Sequence, residues 1–137
     1  MSIESDSDKS LLLFACGKIQ AGFPTPVDGG VSAIGFDLMR LLAPNPPATF
    51  IIRVSGNSMI NAGIFDGDLL IVDRSLQPEN NNIVVATIDE EFTVKRLIIK
   101  NKNYELHPEN PDFKPIKFAN ESELKIWGVV KKVIHFV

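Results

Sequence analysis

Short apolar runs broken by turn residues organise the chain from Thr49 onward. Phe50-Ile51-Ile52-Arg53-Val54 is rich in β-branched and aromatic residues and ends at Ser55-Gly56, and Leu69-Leu70-Ile71-Val72 follows the turn signal Asp66-Gly67. Runs of this make-up bounded by Gly, Asp and Ser are the pattern of strands. Ile83–Ile88 and Phe92–Ile99 flank Asp89-Glu90-Glu91, which predicts a hairpin, although the glycine that a tight primed turn prefers is missing. Tyr104-Glu105-Leu106 predicts another strand, ahead of a loop from Pro108 to Pro115. A last long strand runs from Ile126 toward Phe136, with Gly128 available for a bend or bulge.

The first half reads differently. Residues 1–10, MSIESDSDKS, are polar and acidic, too poor in apolar side chains to hold a packed structure. From Leu11 to about Gly35 apolar patches are mixed with Gly17, Gly22, Gly29 and Gly30, and Pro24 and Pro26 favour extended backbone over helix. Phe36 to Leu42 predicts one short helix, with Asp37 near its start and Pro44, Pro46 and Pro47 beyond its end. The expected fold is therefore a small, mostly β domain of short strands and hairpins, a partial barrel or packed sheets, preceded by an extended N-terminal arm. An extended arm is also the form of backbone that a protease site accepts as substrate.

Composition narrows the function. The 137 residues suit one compact domain, and a net charge of −3 supplies no broad positive field for duplex DNA. A single cysteine, Cys16, rules out an internal disulfide framework and fits a reducing cytosol. The run Leu11–Cys16 is too short for an export signal, and Glu4, Asp6 and Asp8 precede it where positive charge is wanted. No other apolar stretch approaches the roughly 20 residues that span a bilayer. These features predict a cytoplasmic protein with no membrane association. No Cys, His and Asp grouping has zinc-ligand spacing, no glycine loop fits a phosphate cradle, and neither metal nor cofactor is expected.

Two segments can carry chemistry. In Val54-Ser55-Gly56-Asn57-Ser58-Met59-Ile60, Ser58 follows a glycine where a strand gives way to a turn. Such a turn exposes a hydroxyl and aims neighbouring backbone N–H groups at one point, as an oxyanion hole requires. Taken alone the signal is weak, since the chain has nine serines and turn serines commonly only bond locally. In Phe92-Thr93-Val94-Lys95-Arg96-Leu97-Ile98-Ile99, Lys95 shares one strand face with Thr93, Leu97 and Ile99, and Arg96 shares the other with Phe92, Val94 and Ile98. Periodicity does not say which cation is buried. Chemistry favours the lysine, because burial without a carboxylate lowers its pKa toward a usable base, whereas arginine stays protonated. A strand-edge lysine reaching to solvent is the ordinary alternative. His107 and His135 carry no spacing that sets them beside a serine.

The order of four motifs adds a further signal. Ala21-Gly22-Phe23-Pro24-Thr25-Pro26, Ser55-Gly56-Asn57-Ser58-Met59-Ile60, Asp66-Gly67-Asp68-Leu69-Leu70-Ile71-Val72-Asp73 and Glu91-Phe92-Thr93-Val94-Lys95-Arg96-Leu97 follow one another as in the UmuD proteins. These belong to the self-cleaving serine peptidases that include the LexA repressor, and the resemblance runs from about Gly22 to Val133. It implies Ser58 as nucleophile, Lys95 as general base, the backbone of Asn57 and Ser58 as oxyanion hole, and Ala21–Gly22 as the bond cut. Residues 1–21 would then be a removable arm and residues 22–137 the peptidase and dimerisation domain.

The resemblance also implies a role in the SOS response. A RecA filament on single-stranded DNA stimulates the cut, and the shortened homodimer joins a UmuC-type Y-family polymerase for synthesis past lesions. A mainly non-catalytic, polymerase-regulating dimer and a repressor-type self-peptidase are the alternatives. Asn57 stands where the family often has Asp, and Glu90 where a hairpin glycine is common. Only 21 residues precede the expected cut, too few for a helix-turn-helix domain, which argues against a repressor and against sequence-specific DNA binding.

Overall fold

The computed structural model describes residues 12–16, 32–119 and 123–137, which fall into two units, Met1–Pro44 and Asn45–Val137. In the first unit, β1 (Leu12–Cys16) pairs antiparallel with β2 (Ser32–Phe36). The sequence pattern had suggested only an extended arm there, because the glycines and prolines between the two runs obscure their pairing. Helix α1 (Leu38–Leu42) follows, and Asp37 caps it by accepting from the Met39 and Arg40 N–H groups at 3.0 and 3.4 Å. The expected cleavage position, Ala21–Gly22, lies outside the described residues.

The second unit is one antiparallel sheet. Its strands are β3 (Thr49–Arg53), β4 (Leu69–Asp73), β5 (Ile83–Ile88), β6 (Glu91–Lys100), β7 (Asn103–His107), β8 (Ile116–Phe118) and β9 (Lys125–Ile134). They are ordered β3-β4-β9-β5-β6-β7-β8. Central β5 is covered on both faces, as its alternation shows. Val85 packs with Met59, Ile64, Leu70 and Val72, whereas Val84 and Ala86 pack with Leu97, Leu106 and Val129 on the other side. Each fully buried Val or Leu contributes roughly 1.5–3 kcal/mol through apolar burial. The sheet curls, since Ile88 of β5 and Phe118 of β8 line one cleft although two strands lie between them. The mostly β expectation is met by a single seven-stranded antiparallel sheet.

Two details depart from the sequence pattern. The β5–β6 turn is two residues long, Ile88 pairing with Glu91, and Asp89 and Glu90 both adopt positive φ (49° and 67°) without a glycine. Strand β9 does carry irregularities, but they flank Gly128: the register slips opposite Val85/Ala86 and again opposite Ile71/Val72. Gly128 is needed for a close approach, because a Cβ there would lie 2.5 Å from Val72 Cγ1.

Candidate active site

The turn after β3 presents Ser58. Gly56 takes φ 95°, which side-chain-bearing residues rarely adopt, and its N–H donates to Asp66 Oδ1 at 2.8 Å. The Val54 N–H donates to Asp68 O, and the Gly67 N–H returns to Val54 O, so the serine turn is tied to the Phe65–Asp68 turn beside it. Beyond Ser58, Met59 is buried in the core and anchors the segment from the other side. The carbonyls of the turn are also taken: Asn57 O accepts from Asn110 Nδ2 and Ser58 O from Glu109 N, both at 2.8 Å. Among the described residues, no acceptor is bonded to the Asn57 or Ser58 N–H.

Strand β6 supplies the cation, and the burial that periodicity left open is settled. Lys95 is buried at 8% exposure. Arg96 lies on the opposite face, where its Nε donates to Glu109 Oε1 at 2.5 Å and its Nη1 to Asn81 O at 2.7 Å. Lys95 Nζ lies 2.9 Å from Ser58 Oγ, 3.0 Å from Thr93 Oγ1 and 3.1 Å from Val94 O. Burial pushes the Lys95 amine below its ordinary value of 10.5, and among the described residues no carboxylate pairs with it. The arrangement couples a hydroxyl to an amine whose neutral form is made accessible by desolvation. A cleft of about 180 Å³, lined by Ile52, Val54, Gly56, Ser58, Thr93 and Val94, opens beside the serine.

The structure thus brings together Ser58, Lys95 and the Asn57–Ser58 backbone, while Ala21 and Gly22 lie outside the described residues. The histidines have other partners: His107 Nε2 meets Glu105 Oε2 at 2.5 Å, and His135 Nδ1 meets Asp68 Oδ1 at 2.6 Å. Sequence reasoning placed Thr93 on the lysine's face without giving it a role, and it missed Glu109 and Asn110. These two sit in a proline-bounded loop whose local pattern gives no hint that it reaches the serine turn.

A serine hydroxyl within hydrogen-bond reach of a desolvated lysine amine is an arrangement that serine hydrolysis can use, and comparison with known proteins places the chain in a peptidase family. The chain belongs to the Peptidase S24-like family, whose model matches residues 13–131. It is 45% identical to protein MucA of Salmonella typhimurium over 120 residues, covering 85% of this chain and 80% of the relative. It is 43% identical to protein ImpA of Shigella flexneri over 125 residues, covering 90% and 82%. The LexA repressor of Stenotrophomonas maltophilia is 38% identical over 122 residues, and there the match spans 89% of this chain but 57% of the repressor. The UmuD-type resemblance holds, and the chain is a self-cleaving serine peptidase of the S24-like family. Among the described residues no helix is long and apolar enough to cross a membrane.

Proposed function

We propose that Ser58 and Lys95 form the catalytic dyad and that it cuts the Ala21–Gly22 bond of this protein's own arm. The observation that carries this is the 2.9 Å approach of Lys95 Nζ to Ser58 Oγ at a site where burial lowers the amine's pKa. Neutral Lys95 takes the hydroxyl proton as Ser58 Oγ bonds to the Ala21 carbonyl carbon. The oxyanion that forms is met by the N–H groups of Asn57 and Ser58. Lys95 then passes its proton to the Gly22 nitrogen as the C–N bond breaks, leaving Ala21 as an ester on Ser58. A water molecule, losing a proton to Lys95, attacks this ester; as the ester C–O bond breaks, Lys95 returns that proton to Ser58 Oγ, and the freed Ala21 carboxyl group ionises to solvent. A small residue on each side of the bond lets the backbone enter a narrow cleft.

In this reading residues 1–21 are the arm and residues 22–137 the peptidase and dimerisation domain of a cytoplasmic homodimer. A RecA filament on single-stranded DNA stimulates the cut, and the shortened dimer joins a UmuC-type Y-family polymerase. The likeness to MucA and ImpA supports the mutagenesis setting. Intact mass after incubation near pH 10 tests the chemistry. Loss of residues 1–21 in the wild type and none in Ser58→Ala or Lys95→Ala is expected. An unchanged wild-type mass, or equal cutting in both variants, would sink the proposal.

A further inference from the structure

We propose that Asn110 is a positioning residue for self-cleavage, its side-chain amide holding the Asn57 carbonyl so that the Ser58 N–H of the same peptide faces the oxyanion. This rests on the Ser58–Lys95 reading above and deepens it. Asn110 is buried at 8% exposure in the loop between β7 and β8. Its side chain is fixed at both ends: Oδ1 accepts from the Asp112 N–H at 2.9 Å, and Nδ2 donates to Asn57 O at 2.8 Å. A backbone N–H can only donate and a carbonyl only accept, so the two partners assign the amide's orientation without ambiguity.

A trans peptide is planar, with its C=O and N–H pointing in opposite directions. Holding the Asn57 carbonyl therefore fixes the Ser58 N–H. The next peptide is held likewise, because Glu109 N–H donates to Ser58 O at 2.8 Å, and Asn61 N–H returns a bond to Glu109 O at 2.8 Å. Both carbonyls are drawn toward the Glu109-Asn110 segment, which does not line the cleft, whereas Ser58 does. The Ser58 N–H is thereby turned to the other side and, among the described residues, has no acceptor of its own. A donor oriented before reaction needs no reorganisation when negative charge develops. A neutral amide also achieves this without placing a charge near Lys95, whose usefulness depends on staying unpaired.

Two variants test the role. Asn110→Ala removes the donor, and Asn110→Asp replaces it with a carboxylate oxygen while keeping the acceptor for Asp112 N–H. The self-cleavage rate constant is followed by intact mass from pH 7 to pH 11, with Tm recorded for each protein. On the alkaline plateau the rate should fall about 10- to 100-fold in Asn110→Ala, and at least as far in Asn110→Asp. That is less than the roughly 100- to 1,000-fold for deleting an oxyanion donor, because the N–H stays and only its aim loosens. The midpoint of the Asn110→Ala profile should match the wild type, since that midpoint reports Lys95. Plateaus within about twofold of wild type in both variants overturn the proposal. So does a shifted midpoint with a full plateau, which would place Asn110's effect on the lysine. If Asn110→Ala does not fold, the plateau of Asn110→Asp decides alone. Ser58→Ala is run alongside: cutting that survives it overturns the dyad and this inference together, whereas a wild-type plateau in the Asn110 variants overturns only the latter.

Discussion

Lys95 Nζ lies 2.9 Å from the Oγ of Ser58, a residue 37 positions away in the chain, and Thr93 Oγ1 and Val94 O complete its surroundings. Three oxygens match the three N–H bonds of an ammonium. Two of them equally match a neutral amine, whose lone pair is then free to accept from the Ser58 hydroxyl. The proton can pass from Oγ to Nζ without a change of partners. Val94 O can only accept, so one N–H is committed in both states and the nitrogen cannot swing away from the serine.

The first prediction concerns alkali. Burial lowers the Lys95 pKa below 10.5 and no base other than this amine contacts Ser58 among the described residues. Below that pKa the neutral fraction, and with it the self-cleavage rate, should rise about tenfold per pH unit and then level off. Lys95→Arg preserves the charge but cannot lose the proton, so its rate should stay at least roughly a thousandfold lower up to pH 10. Mass spectrometry of timed samples checks both, and a rate for Lys95→Arg that climbs in parallel with wild type would exclude Lys95 as the base.

Thr93→Val should move the same profile. The substitution keeps the shape of the side chain but removes the Oγ1 that accepts from Nζ at 3.0 Å. An acceptor stabilises the ammonium more than the amine, so losing it lowers the Lys95 pKa further. The midpoint should shift to lower pH, while the plateau drops about three- to tenfold as the amine loses one anchor. A midpoint moved upward would show that the hydroxyl does not act as an acceptor for the lysine.

How far the sequence reached is clear from these residues. The serine turn was legible because a glycine at a strand end is a local signal, and Gly56 indeed takes φ 95°. The choice between Lys95 and Arg96 was not legible in the periodicity, because both faces of β6 are occupied and the arginine's partners, Glu109 and the Asn81 carbonyl, are distant in sequence. Strand β8 is three residues long and, among the described residues, pairs only with β7, too short for a period of two to register. The bulges beside Gly128 depend on the register of two neighbouring strands at once, which no single run encodes.

The support beneath the serine turn should be acid-sensitive. Asp68 is 2% exposed; burial raises its pKa, but the Phe65 N–H and His135 outweigh that and hold it below 3.8. A depressed carboxylate pKa means that the unfolded chain binds the extra proton first. The stabilisation is therefore complete above the unfolded value and is lost as pH falls through the folded one. Asp68→Asn should lower Tm at pH 7, and the gap to wild type should close as pH drops below about 3.8. Calorimetry between pH 2.5 and 7 measures it, and a gap independent of pH would mean that the carboxylate's charge contributes nothing.

The β5–β6 turn offers a gain. Glu90 sits at φ 67°, a conformation that costs a side-chain-bearing residue roughly 1–2 kcal/mol and glycine little. Against this, glycine adds freedom to the unfolded chain worth roughly 0.5–1 kcal/mol. Glu90→Gly should therefore stabilise by about 0.5–1 kcal/mol, raising Tm by a few degrees. A lower Tm would mean that the glutamate side chain makes a stabilising contact outweighing its backbone strain.

Gly128→Ala tests the opposite case, a glycine kept for space. The added Cβ would lie 2.5 Å from Val72 Cγ1 and 3.3 Å from Asp73 O. Val72 is fully buried and β-branched, so it cannot turn its methyl away without entering the core against Leu70 and Val85. The substitution should cost about 1–3 kcal/mol as overpacking between β9 and β4. Val72→Ala alone should cost roughly 2–3 kcal/mol through the cavity it leaves. In the double variant the new methyl occupies space that the lost one vacated, so the combined loss should fall short of the sum by about 1 kcal/mol or more. Denaturant unfolding of the four proteins measures this coupling. Strict additivity would show that the valine methyl is not what the glycine makes room for, and that the constraint lies instead with the Asp73 carbonyl of the neighbouring strand.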